Sequence, residues 1–163
     1  MKKRLLITGI LTMLTISSYA ELVTSSVYTG TITELPNPGT VIKKGSILVK
    51  FDDTPINAQI EALKADIEAT KLLIANKKDD CDRVTKLIDK SAVSKNDYQD
   101  ACYDYETAKV TLKMKEAELA KLESDKTCFT IVAPYDCKIC KVFIMQNSGT
   151  DIGQEILEVE RLN

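Results

Sequence analysis

The sequence predicts an α+β fold in which a long antiparallel helical hairpin is inserted into a small β sandwich. Two observations lead to this prediction. Residues 56–127 contain neither Gly nor Pro and repeat their apolar residues every seven positions, and the segments on either side of them resemble each other. The chain has 163 residues, 44% of them hydrophobic and 28% charged, which suits one globular domain.

The composition excludes several classes of protein. The chain contains no His, which excludes Ser-His-Asp and Cys-His catalysis and His-ligated metal sites. Its net charge of −2 offers no basic surface for nucleic acid. The carboxylates fall on charged helix faces where solvation is the default role, so we predict that the chain is not an enzyme and binds no cofactor or metal.

Residues 1–20 have the organisation of a secretory signal peptide. Lys2-Lys3-Arg4 forms a positive start, an apolar run of about 12 residues follows, and Ser18-Tyr19-Ala20 is a small-x-small cleavage motif. The run is shorter than the roughly 20 residues that span a bilayer, and an uncleaved anchor is the alternative. We expect export and cleavage, which would place the protein where disulfides persist.

Residues 54–127 are predicted to form two antiparallel helices of a coiled coil rather than part of a compact bundle, because each helix has one narrow apolar stripe. Apolar residues recur in alternating steps of four and three, as in a coiled-coil seam. Lys77 and Lys115 interrupt the seam, and we expect their stems to pack while the ammonium groups reach water. The two series are Ile56, Ile60, Leu63, Ile67, Thr70, Ile74, Lys77, Cys81, Val84, Ile88, and Tyr98, Ala101, Tyr105, Ala108, Leu112, Lys115, Leu119, Leu122.

The ends of the helices carry capping signals. Residues 89–94 are polar and break the heptad pattern, and Ser94 with Asp97 predicts a capping box at the start of the second helix. Asp53 or Thr54 can cap the first helix, with Pro55 at its first helical position. The hairpin would be ~50 Å long at 1.5 Å per residue.

The segments flanking the hairpin form an internal repeat. Residues 28–35 align with residues 135–142, and in both copies a later Gly turn precedes an apolar run. In that later part Gly39 aligns with Gly149 and Gly45 with Gly153. Neither half is large enough to bury its own apolar face, so we predict one β sandwich built from residues 21–53 and 128–163.

A split β domain with a helical hairpin behind a signal peptide resembles the periplasmic adaptor proteins, also called membrane fusion or HlyD-family proteins, of tripartite efflux pumps and secretion systems. The segments that carry the resemblance are residues 39–48, 51–53 and 131–136, and the similarity covers about residues 28–160. The resemblance implies a biotinyl-lipoyl-like β sandwich split by a coiled-coil hairpin, in a protein of the periplasm associated with the cell envelope.

Four residues match the hairpin-tip motif of the efflux adaptors in spacing: Arg83, Leu87, Ser94 and Asp104. The resemblance implies that this tip docks into a TolC-like outer-membrane channel, that the chain bridges the channel to an inner-membrane transporter, and that its copies form a homo-oligomer, commonly a hexameric ring. The alternative is structural: Leu87 covers the end of the core, Ser94 caps a helix, and Arg83 pairs with Asp79.

Full adaptors continue into a β-barrel and a membrane-proximal domain that contact the transporter. We expect this chain to lack both, so that the transporter contact would be supplied by a second subunit. The alternative function is a shortened adaptor that pumps nothing and acts as a structural or regulatory interaction module. A lipoyl carrier is disfavoured, because Lys90 of Asp89-Lys90-Ser91 lies at the hairpin tip and not in the β domain.

The five cysteines predict one disulfide. If the hairpin turns about residues 91 and 92, Cys81 and Cys102 face each other across it, and we predict a bond between them near the tip. Cys137-x-x-Cys140 has the spacing of a redox or metal motif, but it lies on a predicted strand and not at a helix start. With Cys128 it supplies only three metal ligands.

Overall fold

The structure, a computed structural model, describes residues 20–24, 30–88 and 90–162. The elements in chain order are β1 (Ala20–Thr24), β2 (Gly30–Glu34), β3 (Val41–Ile42), β4 (Ile47–Phe51), α1 (Thr54–Ile88), α2 (Lys95–Thr127), β5 (Thr130–Val132), β6 (Cys137–Val142), β7 (Gly149–Thr150) and β8 (Glu155–Arg161). This confirms the predicted combination of a long helical hairpin with antiparallel sheets. The predicted signal peptide lies outside the described residues except for Ala20, which begins β1.

The strands form two four-stranded antiparallel sheets, in the orders β1-β8-β6-β3 and β5-β4-β2-β7. Each sheet takes its two central strands from one side of the hairpin and its two outer strands from the other side. The two sheets share one apolar core, formed by Ile32, Leu48, Val49, Phe51, Ala133, Cys137, Ile139, Ile156, Leu157 and Val159. Since each flank completes the sheet of the other, neither flank can form its sheet alone.

The internal repeat is visible in this topology, because each strand before the hairpin has its equivalent four strands later in the chain. The equivalence extends to single hydrogen bonds. Gly39 N–H donates to the carbonyl of Ile139 (2.8 Å), and Asn147 N–H donates to the carbonyl of Ile32 (2.8 Å). Gly39 therefore corresponds to Asn147, and the predicted match with Gly149 is wrong. Both residues have a positive φ, 86° and 65°, which Asn tolerates better than most residues other than Gly.

The two helices pack against each other along the predicted apolar series. All residues of both series are buried or half-buried, and Ile60 and Ile67 retain only 5% exposure. At the root of the hairpin, Phe51 N–H donates to the carbonyl of Phe129 (2.9 Å), which joins the end of β4 to the start of β5. The helices contain 35 and 33 residues. The described part of the chain contains no third helix, so the hairpin is not part of a bundle there.

The first turn of α1 is capped differently from the prediction. The side-chain acceptor is Asp52, not Asp53 or Thr54: its Oδ1 accepts a hydrogen bond from Thr54 N–H (3.0 Å). The hydrogen bonds with Thr54 hold the pKa of the Asp52 carboxyl below its usual value. The helix begins at Thr54, so Pro55 is its second residue. The missing N–H of Pro55 costs no hydrogen bond at this position either, because the first four N–H groups of a helix have no intrahelical acceptor.

The two lysines in the seam do not simply reach water as predicted, because carboxylates of the facing helix hold them. Lys77 Nζ lies 2.6 Å from Asp104 Oδ2, and this hydrogen bond raises the pKa of Lys77. Lys115 Nζ lies 2.7 Å from Asp66 Oδ2 and donates to Thr70 Oγ1 (2.9 Å). Both lysines therefore link α1 to α2 where the seam would otherwise be interrupted.

Candidate functional site

The hairpin tip is closed by two adjoining caps. At the end of α1, Ala92 N–H donates to the carbonyl of Leu87 (3.1 Å) and Ser91 N–H to that of Ile88 (2.9 Å), which is a Schellman motif. Ser91 has a φ of 54°, at the position where Gly is usual. At the start of α2 the predicted capping box is present, with Ser94 Oγ accepting from Asp97 N–H (3.1 Å). Together the two caps fix the backbone of the tip.

A disulfide joins Cys81 to Cys102, whose Cα atoms are 4.8 Å apart. It links facing positions of the two helices about two turns below the end of α1. Lys77 and Lys115 connect the two helices through ion pairs. The disulfide connects them covalently, close to the turn of the hairpin.

Arg83 and Leu87 lie one helical turn apart on α1 and line a shallow, open depression beside the tip. The depression is also lined by Asp79, Asp82, Lys86 and Lys90. Leu87 is half-buried, whereas the Arg83 side chain is 64% exposed. Arg83 Nη2 donates to Asp80 Oδ1 (2.8 Å), one residue away from the predicted partner Asp79, and lowers the pKa of Asp80. An exposed pair of this kind stabilises little, so the guanidinium is free to exchange Asp80 for another acceptor.

The other two residues of the predicted motif serve the fold. The Ser94 hydroxyl accepts from Asp97 N–H and donates to Asp97 Oδ2 (2.8 Å), so both of its functions are used in the cap. Asp104 binds Lys77, which places it about 15 Å below Leu87 along the hairpin. The structure thus brings Arg83 and Leu87 together at the tip, keeps Ser94 in the turn, and sets Asp104 apart from them.

The remaining cysteines do not form a reactive group. Cys137 and Cys140 are three residues apart on β6 and occupy opposite faces of the strand, with Cys137 fully buried in the core. Burial raises the pKa of the Cys137 thiol, which disfavours the reactive thiolate. Cys128 is an exposed free thiol at the end of α2. Within the described ranges, no group of three or more potential ligands is placed to hold a metal ion.

No protein-family model matches the chain. An uncharacterized protein of Haemophilus influenzae is 29% identical over 125 residues, which cover 75% of this chain and 28% of that protein. The solved structure of MacA from Actinobacillus actinomycetemcomitans has a TM-score of 0.71 at 20% identity, covering 89% of this chain and 50% of MacA. The membrane fusion protein Spr0693 from Streptococcus pneumoniae R6 has a TM-score of 0.70 at 16% identity, covering 88% and 59%.

The chain has the membrane fusion protein fold. The chain spans 28% of the Haemophilus protein, 50% of MacA and 59% of Spr0693. In the described residues of this adaptor fold, neither long helix offers an apolar stretch sufficient to cross a membrane.

Proposed function

We propose that the protein is a periplasmic adaptor subunit that bridges an inner-membrane transporter and a TolC-like outer-membrane channel in an efflux or secretion system. The observation that carries this proposal is the membrane fusion protein fold with a capped hairpin tip on which Arg83 and Leu87 lie side by side. In this proposal the coiled-coil hairpin of residues 54–127 splits a lipoyl-like domain. A cleaved signal peptide directs the chain to the periplasm, where its copies form a ring.

Docking would use an apolar group and a planar donor in one helical turn. Leu87 is partly exposed, and covering its remaining apolar surface would contribute to binding at about 25 cal/mol per Å². The Arg83 guanidinium presents several donors in a fixed plane, which suits carboxylates and the free carbonyls at helix ends. Its bond to Asp80 would be replaced on docking by a bond to the channel.

The residues around these two would keep the tip ready for docking. The disulfide, the Lys77–Asp104 pair and the Ser94 cap fix the tip in the free protein. A tip that is already ordered loses less conformational entropy when it binds, which favours affinity without any added contact. Ser94 and Asp104 thus support docking through the shape of the tip.

Substitution of Leu87 by Asp tests the docking site. We expect Leu87→Asp to reduce capture of the purified outer-membrane channel at least tenfold while the circular dichroism spectrum stays unchanged, because the side chain lies near the exposed tip. Leu73→Asp is the matched control, since Leu73 is an exposed leucine of α1 two heptads before Leu87 and thus on the same face of the helix. It should capture the channel as the wild type does.

Equal capture by Leu87→Asp and the wild type would contradict the docking site. If, in addition, the wild-type protein captures no channel and its deletion leaves export unchanged, the protein is an interaction module that takes no part in pumping.

A further inference from the structure

The predicted cleavage site of the signal peptide coincides with the first residues of the β domain. Ala20, after which cleavage is predicted, begins β1 and lies opposite Glu160 of β8. Four of the five residues of β1 are exposed, and Val23 is half-buried against the core. Because so little apolar surface holds this edge strand, its free end depends on polar contacts.

Glu21, the first residue after the predicted cut, is anchored by its side chain. The hydroxyl of Tyr135 donates a hydrogen bond to the Glu21 carboxylate, and Cζ of Arg161 lies 4.9 Å from the centroid of the Tyr135 ring. None of these contacts involves Ala20. The start of β1 can therefore stay attached to the sheet after Ala20 and the residues before it are removed.

Glu160 is a half-buried carboxylate that forms no ion pair with the described Lys and Arg residues. Lys138 lies opposite it on β6 and does not bind it. Its Oε2 accepts only a weak hydrogen bond from the Cys140 thiol (3.9 Å). By contrast, Glu158, two residues earlier on the same face of β8, pairs with Lys141 (3.3 Å). The carboxylate of Glu160 is thus available to a cation at the start of β1.

We propose that cleavage after Ala20 supplies this cation, because the new α-ammonium of Glu21 forms an ion pair with the Glu160 carboxylate and fixes the free end of β1. Hydrolysis of the peptide bond between Ala20 and Glu21 consumes one water. It leaves a carboxyl group on Ala20 and an amine on Glu21, and the amine takes the proton that the carboxyl group loses. The inference rests on the proposed function only for the cleaved signal peptide.

The sheet register places the two groups within reach of each other. Residues directly opposite in an antiparallel sheet have Cα atoms about 4.5–5.5 Å apart and side chains on the same face. The Glu21 nitrogen is bonded to the carbonyl carbon of Ala20, so it lies beside Glu160, and removal of Ala20 clears the face over which the Glu160 side chain turns. An ammonium on the backbone also loses no side-chain entropy on pairing, unlike that of Lys138.

The position of the cut inside β1 determines the order of the two events. The bond to be cut lies in a strand whose five residues all pair with β8, and a protease reaches such a bond only when the strand is open. Cleavage therefore precedes the pairing of β1. In the uncleaved chain the Glu21 nitrogen is a neutral amide, so the ion pair is a property of the processed protein alone.

A double-mutant cycle tests the ion pair, after N-terminal sequencing of the exported protein, which should give Glu21. Two chains released from an N-terminal fusion are compared by urea unfolding at pH 6.5. One begins at Glu21, and the other begins at Ser17, which moves the ammonium up to about 13 Å away along an extended chain. Glu160→Gln should lower the folding equilibrium constant about two- to fivefold more in the Glu21 chain than in the Ser17 chain. Glu158→Gln is the matched control and should affect both chains equally, because Glu158 pairs with Lys141.

The α-amino group gives a second readout, which a merely structural role of Glu160 would not move. An ordinary α-amino pKa is about 7.7–8.0, and an adjacent carboxylate raises it. NMR titration of the reductively methylated α-amine in the Glu21 chain should give a pKa above this range, and Glu160→Gln should return the pKa to it. Because the folded-state pKa is raised, the extra stability should be complete below about pH 7 and disappear as the pH rises through the raised value.

Both chains carry Cys140→Ser, which removes the thiol beside Glu160. The other charged or titratable side chains around this end of the sheet are common to both chains, so their titration cancels in the comparison: Glu21, Tyr135, Asp136, Lys138, Glu158 and Arg161.

Three results would overturn the inference: a first residue other than Glu21 in the exported protein, an equal effect of Glu160→Gln in the two chains, or an α-amino pKa that Glu160→Gln leaves unchanged. Channel capture by the exported protein in any of these cases would reject the ion pair and leave the proposed function standing. An ion pair measured in a protein that captures no channel would support the inference and reject the channel role.

Discussion

Removal of the disulfide between Cys81 and Cys102 should destabilise the hairpin tip strongly. The two cysteines are 21 residues apart in sequence, and the chain-entropy description gives about 3 kcal/mol for a loop of this size. The tip has little to offset that loss. Val84 is the one buried seam residue beyond Cys81, and Leu87 and Ile88 are only half-buried.

The comparison is between the wild type and Cys81→Ser/Cys102→Ser in urea without reductant. For a small protein with a slope of about 2 kcal/mol per M, the unfolding midpoint should fall by about 1.5 M. Cys128→Ser is the matched control, because Cys128 is an exposed free thiol and its loss should leave the midpoint unchanged. Amide hydrogen exchange should become faster between residues 81 and 102 and stay slow in β4.

Thiol titration provides the decisive control. The denatured, unreduced wild-type protein should show three reactive thiols, those of the free cysteines. Five reactive thiols in protein purified after export, or a double variant as stable as the wild type, would refute the reasoning.

Three further predictions concern the stability of the free chain at low concentration. Ile67→Asp should lower the free energy of unfolding by at least about 3 kcal/mol, because it places an unpaired charge at a position with 5% exposure, whereas Leu72→Asp should change it by less than about 0.5; urea unfolding followed by circular dichroism measures both. Ser91→Gly should raise it by about 0.5–1 kcal/mol in the same assay, since Gly adopts a φ of 54° without strain, and a loss of stability would contradict the C-cap. The contribution of the Asp52 cap to the free energy of unfolding should be present above the ordinary carboxyl pKa of 3.8 and disappear as the pH falls through the lowered folded-state pKa. Asp52→Asn should remove this part of the acid dependence. Parallel curves of unfolding free energy against pH for the two proteins would count against the cap.

The sequence predicted the hairpin well because burial in a two-helix seam follows directly from heptad spacing. Ile60, Ile67 and Val84 are buried as the pattern requires. The position of the disulfide followed from the same antiparallel geometry. The partners of Lys77 and Lys115 were missed, because Asp104 and Asp66 lie beside the seam and spacing alone does not indicate where a long side chain turns.

The β domain was predictable in its main strands and not in its edges. The short edge strands, such as β3 and β7 with two residues each, are defined by the strands they pair with and not by a pattern of their own. The match of Gly39 with Gly149 was wrong because a search for Gly overlooks Asn147, which adopts the same backbone conformation.

At the tip, the proximity of Arg83 and Leu87 followed from their spacing of four residues on one helix. The ion pair between Asp104 and Lys77 depends on how α2 is aligned along α1, and the spacing of the motif in the sequence does not indicate this alignment. Ser91 carries no sequence signal for its left-handed conformation, because Gly is the usual mark of that position.

The interleaved sheets also determine the order in which the chain can fold. β4 ends at Phe51 and its neighbour β5 begins at Thr130, so pairing them directly would close a long loop at a large entropic cost. Helices form from local contacts on much shorter timescales. Zipping of α1 against α2 from the turn downwards delivers Phe51 and Phe129 to each other one layer at a time. During synthesis the first flank can therefore pair only β2 with β4, and both sheets stay incomplete until the strands beyond the hairpin have emerged.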